Sequence, residues 1–123
     1  MPIAILVSVT GAIAALGDTL FPSASLAEGL RQDLSGAASL LVRLRVLHPV
    51  FAVLGAVYFA VASITVLRVR HSRLAIYVLV LALTQLAAGA INVLLLAPVW
   101  MQITHLLLAD SLWIALVLLA VEV

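Results

Sequence analysis

Four long apolar stretches take up most of the chain. They run from about Ile3 to Phe21, Val46 to Leu67, Leu74 to Ala97 and Trp100 to Val121. Each has the roughly 20 residues that a helix needs to cross a hydrocarbon layer about 30 Å thick. Lipid offers no partner to backbone N–H and C=O groups, so such stretches are helices. The expected fold is all-α: an integral membrane four-helix bundle, one four-span domain over residues 1–123, in the cell membrane as a multi-pass protein. Composition closes off the alternatives. With 67% hydrophobic and 9% charged residues, a chain of this length cannot hide its apolar surface in a soluble core, nor stay disordered. A net charge of +1 excludes a nucleic-acid partner. The absence of cysteine removes disulfides, thiolate zinc sites and iron–sulfur clusters.

Only Met1 and Pro2 precede the first stretch, so the basic n-region of a signal peptide is missing and a true span is expected. Arg68, Arg70 and Arg73 crowd the turn between spans two and three. The positive-inside rule makes this turn cytoplasmic, and the two termini with it. The tight turn at Ala97-Pro98-Val99 and the segment from Asp18 to Arg45 then face outward. Within about 25–45, Ser25 and Glu28 form a capping-box pattern, and Leu26, Leu30 and Leu34 recur every four residues, with Gly36 as a stop. A short amphipathic helix at the membrane surface is expected there.

Two histidines lie inside spans. His48 is just inside the start of span two and His105 one turn inside span four. These spans run in the same direction, so both side chains sit at one depth near the outer face. Ionisable groups within a span are costly and point to function. Two histidines without nearby carboxylates or thiolates make a poor zinc site, which needs about four donors. A heme needs only two axial donors, and its porphyrin suits an apolar bundle. His48 and His105 are thus the candidate metal ligands. Arg45 and Arg43 are candidates for the propionates, since guanidinium matches carboxylate; the alternative is contact with lipid headgroups. Ala52, Gly55 and Ala109 follow the histidines on the same helical faces and would let a flat ring approach the backbone. Gln85, Gly89 and Asn92 form a stripe on span three. The plainer reading of Gly55 and Gly89 is helix packing, and of Gln85 and Asn92, hydrogen bonding between helices. Asp110 points away from His105 and is expected to hydrogen-bond a neighbouring helix. His71 is expected to be solvated, and Trp100 to anchor at the interface.

The stretch QLAAGAINVLL from Gln85, then Pro98-Val-Trp100 and HLLLA from His105, resembles the last two helices of heme A synthase. So does VTGA from Val9. GDTLFP from Gly17, SLAEGL from Ser25 and RLRVLHP from Arg43 resemble that family's outer segment and second helix. The resemblance covers nearly the whole chain. It implies a half-length, four-helix member of a family whose typical members have eight spans in two similar halves, each with a histidine pair. It implies oxidation of a ring methyl of heme O to the formyl group of heme A, for terminal oxidases, with heme b as cofactor. By analogy His48 and His105 match the axial ligands. Many members carry a glutamate one turn before the first ligand, where this chain has Arg45, and an outer cysteine pair that this chain lacks. Both departures make it look like the cofactor half or a compact variant.

The leading expectation is a compact heme A synthase working as a homo-oligomer in the bilayer, with an electron donor and a heme O synthase as further partners. Asp18, Glu28 and Asp33 are its candidate acid–base groups. The alternatives are a non-catalytic bis-His b-type cytochrome, for electron transfer or heme storage, and a small four-span transporter. The transporter reading is disfavoured because no acidic residue precedes Asp18 in the first span.

Overall fold

The computed structural model describes residues 2–122, and these are helical throughout apart from short turns. The elements are α1 (Pro2–Leu20), α2 (Leu26–Leu34), α3 (Leu40–Arg45), α4 (Leu47–Arg70), α5 (Arg73–Leu94) and α6 (Val99–Glu122). Four helical stretches are long and apolar enough to span a membrane, with α3 and α4 together forming one of 31 residues, Leu40–Arg70. In the bundle α1 packs on α4, α4 on α5 and α5 on α6, while α6 meets α1 only thinly. Among the described residues, that seam is the most loosely closed between neighbouring spans.

The outer segment is two helices rather than one. Ser25 Oγ accepts the Glu28 N–H at 3.2 Å, as the capping pattern requires, and Glu28 reaches back to the Ala24 N–H at 3.2 Å. After α2 a turn leads to Ser39, whose Oγ caps α3 through the Val42 N–H at 3.4 Å. The single residue Val46 separates α3 from α4 and keeps a right-handed helical backbone. Pro49 accounts for the interruption: it has no N–H for the Arg45 carbonyl, and its ring crowds that carbonyl. His48 consequently lies about two turns along a nearly continuous helix, deeper than the start of an isolated span.

Arg45 is the hub of this end, and its role differs from the expected one. Its side chain is only 8% exposed and pairs with both Asp33 and Asp18, the latter at 3.2 Å. It also reaches the Phe21 and Gly29 carbonyls and the side chains of Ser23 and Gln32 at 3.4–3.5 Å. The guanidinium therefore fastens α2 and the end of α1 to α3, and its donors are spent on groups of this chain instead of on propionates. By the same contacts Asp18 and Asp33 are ion-pair partners rather than free acid–base groups. Glu28, bonded to the Ala24 N–H and to Gln32 Nε2, is occupied as a cap.

At the opposite end, Ser72 Oγ caps α5 at the Ala75 N–H and donates to Glu122 at 2.8 Å, and Arg70 donates to the Glu122 carbonyl. The α4–α5 turn passes through His71, exposed and left-handed at φ 51°. The α5–α6 turn uses two left-handed residues in succession, Leu96 and Ala97, with Gln102 Nε2 donating to the Ala97 carbonyl at 2.6 Å. Side chains with a Cβ occupy that region at a cost of about 1–2 kcal/mol each.

The apolar core sits toward the arginine-rich end. It is built from Ala4, Phe59, Ala75, Val78, Ala82, Ala115, Leu116 and Leu119. The bundle exterior carries large apolar side chains such as Val61, Ile114, Leu106 and Trp100, a surface that suits lipid and not water. Small residues let the helices close: a Cβ on Gly55 would lie 3.0 Å from Val7 Cγ2. Gly55 therefore serves α1–α4 packing and does not border the histidines.

Removing the charge at the hub tests this arrangement. Arg45→Met leaves Asp18 and Asp33 without their cation, and breaking one side of a buried pair costs about 3–5 kcal/mol. Thermal unfolding in detergent should show that loss, with protease cleavage appearing between residues 21 and 45. An unchanged melting temperature would contradict the hub.

Candidate functional site

The half of the bundle nearer α2 and α3 is lined differently from the core. Here His48 on α4 and His105 on α6 face each other, their ring centroids 6.4 Å apart and their planes at 81°. Each ring is seated against a glycine of the neighbouring helix. A Cβ on Gly11 of α1 would lie 3.0 Å from His48 Cε1, and one on Gly89 of α5 would lie 3.1 Å from His105 Cε1. Two helix pairs, α1–α4 and α5–α6, thus present one imidazole each in the same manner.

The polar neighbours differ. His48 Nδ1 lies 3.4 Å from Thr10 Oγ1, a buried hydroxyl that itself donates to the Leu6 and Val7 carbonyls. His105 Nε2 lies 3.2 Å from Gln85 Nε2. His105 Nδ1, Gln85 Oε1 and Asn92 Oδ1 are buried without a hydrogen-bond partner. A buried polar atom left so is expensive, about 1–3 kcal/mol, and three along one seam mark a place where the protein alone does not complete its hydrogen bonding.

On the side of the histidines away from α2 and α3 lies a cavity of about 60 Å³, lined among others by Val7, Ser8, Gln85, Ala109 and Trp113. Its lining comes mainly from α1 and α6. Ala109 borders it, and Ala52 is half-buried one turn beyond His48. Arg43 is exposed and its side chain makes no hydrogen bond among the described residues. Asp110 is exposed midway along α6 and likewise makes none, so the neighbouring helix of its own chain does not supply the partner expected from sequence. A larger cavity of about 380 Å³ under Phe21, Pro22, Ser35 and Val42 holds no ionisable side chain.

The donor set fits a heme better than a lone metal ion. No cluster of three or more His, Cys, Asp or Glu occurs among the described residues, which leaves a tetrahedral zinc site short of donors. Two imidazoles converging from separate helices are what a ring with an axial donor on each face requires, and the glycine cradles leave both rings on the bundle interior. The cavity beside them, lined by neither histidine, is far below the 300–1,000 Å³ of usual ligand pockets, so a macrocycle requires the helices around the site to part. Sequence reasoning singled out both histidines but missed Thr10 and Gly11. Their signal was present in VTGA, at the depth on α1 that meets His48 once α3 extends α4 outward.

Comparison with known proteins gives the family. The COX15-CtaA family, described as cytochrome oxidase assembly protein, matches residues 4–117. Two relatives from strains of Thermus thermophilus, each named protoheme IX farnesyltransferase, are 50% identical over 115 residues. The match covers 90% of this chain but only 19% of each relative, so the chain spans about a fifth of their length. No solved structure matches. With a match that takes in both histidines, both glycines beneath them and nearly all of every span, the chain belongs to the cytochrome oxidase assembly protein family, the family of heme A synthase.

Proposed function

We propose that the chain is a heme A synthase-type membrane hemoprotein that holds heme b and takes heme O as substrate, oxidising a ring methyl to the formyl group of heme A with dioxygen as the external oxidant. The carrying observation is the pair of imidazoles 6.4 Å apart, each resting on a glycine backbone. His48 and His105 would hold the iron. Gly11 and Gly89 set the rings on the bundle axis, and Ala52 and Ala109 keep the adjoining walls low. The apolar core on the far side excludes water. When bound, heme supplies the redox chemistry that these side chains lack. The arginine-rich turn and both ends of the chain lie on the cytoplasmic side by charge placement.

Three partners follow. A second copy of the chain suits Asp110: a carboxylate exposed halfway along a span is costly against lipid, and a protomer interface would cover it. A protein that makes farnesylated heme suits the relatives, in which a segment like this chain is part of a much longer protein named protoheme IX farnesyltransferase. Such a partner would deliver heme O directly, and an electron donor completes the set.

A second reading is favoured by one observation. Asp18 and Asp33 are tied to Arg45, which leaves no free carboxylate of the outer segment for acid–base work. On this reading the chain is a non-catalytic bis-His b-type cytochrome. Supplying heme O with a reductant in air and weighing the extracted pigment separates the two: hydroxylated or formyl product supports the synthase, and unchanged heme O with a bis-His spectrum supports the cytochrome.

Three further outcomes are expected. Gly11→Val and Gly89→Val push an imidazole off its seat, and each should weaken hemin binding about ten-fold or more, the scale of overpacking. Gly55→Ala, whose strain falls on Val7, should lower thermal stability while leaving the Soret band in place. Asp110→Leu should shift the detergent-solubilised protein toward monomer in native mass spectrometry. An unchanged oligomer would mean that Asp110 is not at a protomer interface.

A further inference from the structure

The two histidines are built alike from below and differently from the side. His48 has a hydroxyl behind Nδ1: Thr10 Oγ1 at 3.4 Å. That hydroxyl's one proton is directed to the Leu6 and Val7 carbonyls, an arrangement that matches the ring tautomer with its proton on Nδ1 and its lone pair on Nε2. His48 Nε2 makes no hydrogen bond among the described residues. A ring held through one nitrogen with the other free is the arrangement that fixes a ligating histidine.

His105 has the reverse. Its Nε2 is engaged by the Gln85 carboxamide at 3.2 Å, and its Nδ1 is buried without a partner. The engagement survives either orientation of the carboxamide. As placed, the amide N–H donates to Nε2; with the amide turned over, Nε2–H donates to the carbonyl oxygen. In both cases Nε2 must give up Gln85 before it can bind iron, and nothing behind Nδ1 holds the ring once it has done so. Gln85 also borders the cavity on the α1–α6 seam, where the carboxamide has space to withdraw.

We propose that the pair is unequal: His48 is the fixed axial ligand, His105 the exchangeable one, and Gln85 is the positioning residue that holds His105 Nε2 whenever iron does not. This rests on the bis-His reading above. The exchange moves no electrons: one hydrogen bond, Gln85 to His105, is traded for one nitrogen–iron bond. Its consequence is a site that can hold heme by His48 alone while the other face opens.

The test uses purified full-length protein loaded with hemin, reduced, and titrated with carbon monoxide, which must displace the weaker axial ligand. Gln85→Leu removes the competitor, so His105 should bind iron more firmly and carbon monoxide affinity should fall about 2- to 12-fold, the worth of one hydrogen bond. His105→Ala should retain heme and bind carbon monoxide without displacement. His48→Ala should lose most of its heme. This last contrast stands even if Gln85→Leu fails to fold. Unchanged or raised carbon monoxide affinity in Gln85→Leu, or equal heme loss in the two alanine variants, would overturn the proposal while leaving bis-His ligation intact. Wild-type protein that takes up no hemin would instead overturn the bis-His reading itself.

Discussion

The absence of a Cβ at Gly11 and Gly89 is what brings the two imidazoles together. At 3.0 and 3.1 Å from the positions where those atoms would stand, the rings would have to shift to admit a larger residue on the facing helix. Take away this close approach and His48 and His105 become two isolated polar groups in separate helix seams. With it, they meet across the bundle axis. The rest of the fold supports the meeting: Pro49 interrupts the helix just ahead of the histidine turn, and α3 extends α4 outward so that His48 lies as deep as His105.

The apolar and polar halves of the bundle divide the labour. Alanine, valine and leucine side chains fill the arginine-rich half, and Ser72, Arg70 and Glu122 tie its end. The other half is left to histidine, glycine, glutamine and asparagine, and holds three of the four buried side-chain polar atoms without a partner among the described residues, the fourth being Ser63 Oγ in the apolar half. A protein fully at rest would not leave these; a protein that receives a ligand there has reason to. The Arg45 hub above the site holds α2 and α3 in place without contributing a group to the interior. Its pairing with Asp18 and Asp33 occupies two of the charges that the sequence offered for chemistry.

Much of this was legible in the residues. The spans follow from hydropathy alone, and the expected 46–67 and 74–97 stretches correspond to α4 at Leu47–Arg70 and α5 at Arg73–Leu94. The Ser25–Glu28 cap is local and was readable. The histidines were readable because a charge-bearing residue inside a span is conspicuous. What could not be read was tertiary pairing. Arg45 sits on the helical face that suggests propionates, yet Asp33 and Asp18 reach it only after the outer segment folds back, a contact between distant residues that no periodicity records. Gly55 looked like part of a ring-binding wall because it lies two turns from His48, but rotation about α4 turns it to Val7. The pairing of Gln85 with His105 needed α5 and α6 side by side in a definite register. Helix type is a local property, whereas the partner of a buried polar group is not.

The central claim is that one iron is held between His48 and His105. Pulsed electron paramagnetic resonance of the ferric, hemin-loaded protein, with histidine nitrogens labelled by ¹⁵N, reads axial nitrogens directly. Strong coupling to two histidine nitrogens per iron in the wild-type protein, reduced to one in His105→Ala, is the expected result. Coupling to a single histidine nitrogen, or signals unchanged by that substitution, would contradict the account.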